Sequence, residues 1–218
     1  MTSIGMWWFR PSAGTTNFGD ELGPQIVTRL GYEVHRVPLE QADLVGCGSI
    51  LGIVDAKAKP GTIVWGSGLI MPTDNMRAKR FNVKAVRGVI SARRLGVEVP
   101  LGDPGILVPL LWPRKVNPRH RIGVIPHYVD KNRYAWADKV INPKSPVDQV
   151  IEEIQSCHTI ASSSLHGLII AEAYGIPAVR LYHPKVVGDE FKWVDYMSAF
   201  AGTSMSEAQR GLIRALES

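Results

Sequence analysis

The 218-residue chain is 45% hydrophobic and 21% charged, the composition of a globular chain and not of a disordered one, and its length suits one large domain or two small ones. Its net charge of +5 is gathered in one stretch, where Arg77, Lys79, Arg80, Lys84, Arg87, Arg93 and Arg94 fall between Met76 and Gly96 with no acid among them. A solvated basic face and an anion-attracting surface both account for such a run, while the lack of interleaved aromatics or of any reading module argues against nucleic acid as partner.

In chain order, Met6–Phe9 reads as a first strand, and Gly19–Leu30 as a helix with Asp20 and Glu21 in its first turn and Gly31 beyond its end. Val34–Val37, Ala42–Cys47, Thr62–Trp65 and Val83–Val86 read as short strands, the second and third ending in the glycine-rich turns GCGS and GSGL. Ser91 is expected to cap a short helix that stops at Gly96. Pro109, Pro113 and Pro118 interrupt the pattern and read as a linker. Arg121–Ile125 and Ala137–Ile141 follow as strands. Val147, Val150, Ile151, Ile154 and Cys157 have helical spacing. Thr159–Ala161 is a strand, Leu165–Tyr174 a helix apolar nearly all round, Ala178–Tyr182 a strand, and Asp189–Ala201 a helix. Strands that alternate with helices imply α/β units and a mainly parallel sheet. Two small Rossmann-like halves, 1–112 and 113–218, are expected to face a cleft.

No apolar run approaches the ~18 residues of a membrane span. MTSIGMWWFR lacks the charged and apolar regions of a signal peptide, so a cytoplasmic location is expected. Cys47 and Cys157 are too few for a disulfide framework and have no metal-type spacing. Neither a HExxH run nor an acidic cluster is present, and no metal is expected.

Chemistry is expected where strands run into helix N-termini, because backbone N–H groups there lack partners and attract anions. IASSSLHGLIIAEAYGIP (Ile160–Pro177) has that form. It brings Ser163, Ser164, His166 and Gly167 to one helix start, and Gly167 permits close approach. An ordinary serine N-cap with a satisfied histidine would account for it too. Asn17 and Asp20 open the first helix, after a loop containing Gly14, Thr15 and Thr16. Asp20 is a candidate base and equally an acid complementing the helix dipole. His127 follows a strand in Pro126-His127-Tyr128. Asp103 lies in a turn-like GDPG.

Taken in order, NFGDELGPQIVTRLG, GCGSIL, VWGSGL, VRGVISARRLG, LGDPGIL, IGVIPHYVD, the SLHG turn and FKWVDYMSAF resemble the polysaccharide pyruvyl transferase family over most of the chain. The resemblance implies a GT-B-like fold of two Rossmann-type domains, with residues 1–112 on the acceptor side and 113–218 on the phosphoenolpyruvate side. It implies transfer of pyruvate from phosphoenolpyruvate to a sugar of an exopolysaccharide or cell-wall glycan precursor, as a ketal, with no cofactor. The acceptor would be a saccharide or a lipid-linked oligosaccharide, met at the inner face of the membrane. By motif, His166 looks like the phosphoenolpyruvate-site histidine and Arg87 like a second anion contact. Asp20 and His127 are then candidates for base or acceptor positioning, with Ser163, Ser164, Gly167, Asn17 and Asp103 around the substrates. Ser164 stands where many members have arginine, and the chain is shorter than is usual in the family. A glycosyltransferase using a nucleotide sugar, and a non-catalytic binder of glycans or phosphometabolites, remain alternatives.

Overall fold

A computed structural model describes residues 2–11, 16–74 and 76–218. Gly14 and Thr15 of the expected first loop lie outside them. The chain forms two compact units, one of residues 1–9, 23–104 and 190–218, the other of 10–22 and 105–189.

The first unit is built on a five-stranded sheet. Its strands are β1 (Thr2–Trp7), β2 (Tyr32–Arg36), β3 (Leu44–Val45), β4 (Ile63–Ser67) and β5 (Asn82–Val86). They lie in the order β2-β1-β3-β4-β5, with every pairing parallel. Parallel neighbours need crossovers, and two are α-helical, α1 (Phe18–Arg29) and α2 (Leu51–Lys57), while α3 (Val89–Leu95) follows the last strand. The chain passes from the second unit to the first within α1, at Leu22/Gly23. Leu51 and Val54 of α2 pack with Val45, Val64, Leu69 and Val86 in one buried cluster. Each such side chain contributes about 1.5–3 kcal/mol by leaving water. Ala42–Cys47 pairs over only two residues, Leu44 and Val45, and α2 was not anticipated.

The second unit carries a four-stranded parallel sheet, ordered β7-β6-β8-β9. In chain order it comprises α4 (Val108–Leu111), β6 (His120–Ile125), β7 (Lys139–Val140), α5 (Val147–Gln155), β8 (Cys157–Ser162), α6 (Leu165–Ala173) and β9 (Ala178–Arg180). The stripe expected on α5 is buried, with Val147, Val150, Ile151 and Ile154 at 2% exposure or less. The apolar all-round α6 has Leu168–Ala171 buried, as a helix without a polar face must. The proline-rich stretch begins as α4 before the irregular 112–119.

The last elements, α7 (Asp189–Ser198) and α8 (Met205–Glu217), belong with the first sheet apart from Asp189. The unit boundaries therefore differ from the expected division at 112/113. α8 was missed at the sequence level, although Ser204 and Glu207 form a full capping box at its start; that pattern marks a helix N-terminus. Trp65 of β4 is fully buried and donates its indole N–H to the Leu212 carbonyl at 2.9 Å. Ser91 does not cap α3, whose N-cap is Gly88. It is buried inside the helix, and its hydroxyl donates to Asp195 of α7 at 2.7 Å.

Candidate functional site

Three strand ends lie side by side in the second unit, because Ile125, Ser162 and Arg180 are in register across β6, β8 and β9. Ligands of open parallel sheets bind beyond the carboxyl ends of the strands. The residues that follow are His127, Ser163 and His183.

The three serines divide the local work. Ser162 Oγ accepts the Ser164 N–H at 2.9 Å and donates to the Ile125 carbonyl at 2.7 Å, tying β8 to β6. Ser163 Oγ accepts the His127 N–H at 2.9 Å and donates to Asp130 at 2.6 Å. Ser164 is the N-cap of α6 by position, but its side chain makes no capping bond. The first turn of α6 therefore keeps its donors from a hydroxyl that could have taken one. Gly167 packs the helix onto the strands: a Cβ there would meet Ser162 Oγ at 2.5 Å and Ile125 at 3.2 Å.

His166 is 7% exposed and lies against the start of α1. A Cβ on Gly19 would fall 2.3 Å from its Nδ1. Beside Gly19, Asn17 donates its side-chain N–H to Asp20 at 2.8 Å. Phe18 N–H bonds the Pro143 carbonyl at 2.9 Å, which anchors this turn to the loop after β7. Burial pushes the Tyr128 hydroxyl pKa up, and the Asp20 charge pushes it further. His166, Asn17, Asp20, His127, Ser163, Ser164 and Gly167 thus belong to one unit, around its strand ends. A cavity of about 230 Å³ opens there, lined by His127, Tyr128, Lys131, Asn142 and Lys144 among others.

Asp130 and His183 were not singled out from sequence. Asp130 is 6% exposed. It accepts from Ser163, from the Asn132 N–H at 2.9 Å and from the Tyr134 hydroxyl, and faces His183 Nε2 at 3.5 Å. The Lys185 N–H donates to His183 Nδ1 at 3.3 Å, which leaves the ring proton on Nε2, toward the carboxylate. Burial raises the Asp130 pKa, but the bonds from Ser163, Tyr134 and Asn132 and the nearby His183 outweigh it and hold the carboxyl below its usual range. The available signal was positional, since both residues follow strands adjacent to β8.

A carboxyl depressed in the native state stabilises the fold above its unfolded pKa of ~3.9, and that contribution is lost as pH falls through the native value. Asp130→Asn is therefore expected to cost roughly 1–3 kcal/mol near neutrality. In urea unfolding across pH, the deficit should shrink below pH ~3.9. A deficit constant down to the acid limit would show that the charge contributes nothing.

Arg87 and Asp103 lie in the first unit. Arg87 has no exposed surface, and its guanidinium is held by Asp195 at 2.9 Å, the Leu69 carbonyl at 2.6 Å and Ser49. In this conformation its donors are turned inward, onto protein acceptors. Asp103 is fully buried, within 4.8 Å of Cys47. Much of the basic run has internal partners too. Arg77 pairs with Asp55 at 3.2 Å, Arg80 donates to the Asp55 and Ala58 carbonyls, and Arg94 donates to the Asp74 carbonyl. No helix among the described residues is long and apolar enough to cross a membrane.

Comparison with known proteins adds the chemical context. The family model for polysaccharide pyruvyl transferase matches residues 17–184. In an alignment of 204 residues that covers 86% of this chain and 62% of the relative, the sequence is 30% identical to the succinoglycan biosynthesis protein ExoV of Rhizobium meliloti (strain 1021). It is 32% identical over 169 residues to the uncharacterized protein L143 of Acanthamoeba polyphaga mimivirus, covering 69% of this chain and 58% of that one. The chain thus spans about three-fifths of the length of these relatives. No solved structure matches it.

Proposed function

The chain belongs to the polysaccharide pyruvyl transferase family, and on that premise we propose that it transfers pyruvate from phosphoenolpyruvate to a sugar of an exopolysaccharide or cell-wall glycan precursor, forming a ketal. A GT-B-like pair of domains is part of this reading, with the phosphoenolpyruvate side in the second unit. The observation that carries it is the α6 N-terminus. It has no serine hydroxyl on its first turn, His166 in that turn and the Asn17–Asp20 turn against it. Phosphoenolpyruvate brings a phosphate and a carboxylate, and uncapped N–H donors with an imidazole suit both.

Protonation of the methylene carbon makes the adjacent carbon electrophilic. One sugar hydroxyl forms a C–O bond there and loses its proton. The C–O bond to phosphate breaks, and a second hydroxyl closes the ketal and loses its own proton. The two hydroxyl protons balance the one on the new methyl group and the one carried off by phosphate. His166 is assigned the phosphate contact or the acid. Asp20 and His127 are assigned the base and the placing of the hydroxyls, with Asp103 the fourth candidate. The membrane's inner face and a lipid-linked acceptor belong to the same reading, with no cofactor.

Thermal melting with phosphoenolpyruvate, UDP, GDP or inorganic phosphate tests it. A ligand held at a hundred times its Kd stabilises the native state by about 2.7 kcal/mol. Phosphoenolpyruvate is expected to raise Tm, and His166→Ala to abolish the rise. Stabilisation by a nucleoside diphosphate alone would replace pyruvyl transfer with a nucleotide-sugar reaction.

A further inference from the structure

We propose that the cavity of about 230 Å³ beyond β6 and β7 is a subsite for a single sugar ring that carries a negative charge, a carboxylate or a phosphate, on or next to the ring. The inference rests on the transfer reading above and names its acceptor. It puts the acceptor ring in the second unit, where the expected division into halves had put the donor alone.

Size comes first. Pockets for drug-sized ligands run to roughly 300–1,000 Å³, so this one suits a smaller body. Its walls are amphipathic, as the faces and edges of a sugar are. The His127 and Tyr128 rings stack at 4.4 Å, tilted by 34° and half-buried, and so present an aromatic face rather than two separate rings. Pro126, Val140 and Pro143 extend the apolar surface. Asn142 Oδ1 accepts the Lys144 N–H at 3.1 Å, which orients its amide hydrogens for a hydroxyl. Burial and Asp20 keep the Tyr128 hydroxyl protonated, so it donates across the working pH range.

The charge pattern selects the ligand. Among the described lining residues Asp130 is the one acid, and it is buried and engaged with Ser163, Tyr134 and His183. Lys131 and Lys144 are exposed at the rim. Among the described lining residues a ligand therefore meets two cations and no outward-facing carboxylate, and Asp20, outside the lining, acts on the wall through Tyr128; the balance favours an anionic sugar over a neutral one. The walls are also fixed before any ligand arrives. Pro143 and Lys144 accept bonds from the Phe18 N–H at 2.9 Å and the Thr16 hydroxyl at 3.0 Å, and the His127 N–H is held by Ser163. Preorganisation of this kind reduces the ordering cost of binding.

Saturation-transfer NMR with glucuronate, glucose 1-phosphate and glucose, each with and without phosphoenolpyruvate, tests the subsite. At least one charged sugar is expected to bind, and glucose to bind about tenfold more weakly or worse. Glucuronate alone would identify a carboxylate acceptor, and glucose 1-phosphate alone a phosphate linked to the ring. In Lys131→Ala/Lys144→Ala, whose substitutions are on the surface, Kd for the charged sugar should rise about tenfold or more, close to that of glucose. Tyr128→Ala should abolish the signal. Equal binding of glucose, insensitivity to the lysines, or displacement of the sugar by phosphoenolpyruvate would overturn the assignment. Phosphoenolpyruvate melting separates the two readings: stabilisation without sugar binding overturns the subsite and leaves the transfer, whereas lysine-dependent sugar binding without stabilisation supports the subsite and removes the transfer.

Discussion

Replacing Arg87 with methionine is expected to destabilise the protein by about 3–5 kcal/mol, the usual result of removing one partner of a buried ion pair. Arg87 and Asp195 both have side chains with no exposure. Asp195 also accepts the Ser91 N–H at 2.8 Å and the Ser91 hydroxyl at 2.7 Å. Without the guanidinium, its charge would remain in a site that water does not reach, and the Leu69 carbonyl would lose its donor. Domains of this kind have total stabilities of about 5–15 kcal/mol, so a large share would be lost. Arg87→Met/Asp195→Leu removes both charges and should recover part of it, which urea midpoints of the single and double variants would read as a positive coupling. If Arg87 contacts substrate instead, Arg87→Met should melt like wild type and lose its response to phosphoenolpyruvate.

Gly19→Ala is expected to reduce turnover on the order of 10²-fold, as a displacement of about 1 Å at a reacting group does. Alanine in place of a helical glycine normally stabilises by about 0.5–1 kcal/mol. Here the new Cβ would fall 2.3 Å from Nδ1, 2.8 Å from Cγ and 3.0 Å from Cβ of His166. The obstruction reaches the root of the side chain, so a swing of the ring tip does not relieve it. His166 must change rotamer, and the response to phosphoenolpyruvate should disappear as it does in His166→Ala. Gly19→Ala/His166→Ala removes the clash, so melting should recover while turnover stays lost. A fully active Gly19→Ala enzyme would remove His166 from the reaction.

The stripe of α5 was legible in the sequence, whereas the longer α8 and the short paired strands were not. The α5 stripe stands out because four side chains repeat on one face. β3 and β7 are each two residues long, and their apolar runs extend past the pairing, so no local pattern marks their ends. The SLHG turn was found by its place between strand and helix. The motif marks Arg87 as an anion contact, and nothing local announces its partner Asp195, 108 residues away. Asp130 and His183 were passed over for the same reason: the carboxylate's engagement with Ser163, 33 residues later, exists only once β6 and β8 pair. The family was legible because order along the chain is itself a sequence property.

The return of α7 and α8 to the first sheet bears on synthesis at the ribosome. β5 and α3 emerge long before the carboxylate that neutralises Arg87 and the helix whose Leu212 carbonyl receives Trp65. Until residues 190–218 are released, the nascent first unit holds an unneutralised arginine and an uncovered tryptophan. It cannot complete its core one domain at a time, as chains with contiguous domains do. Contacts at such separation also close slowly. The second unit, whose segment 105–189 is continuous apart from residues 10–22, has all its strands and helices available first.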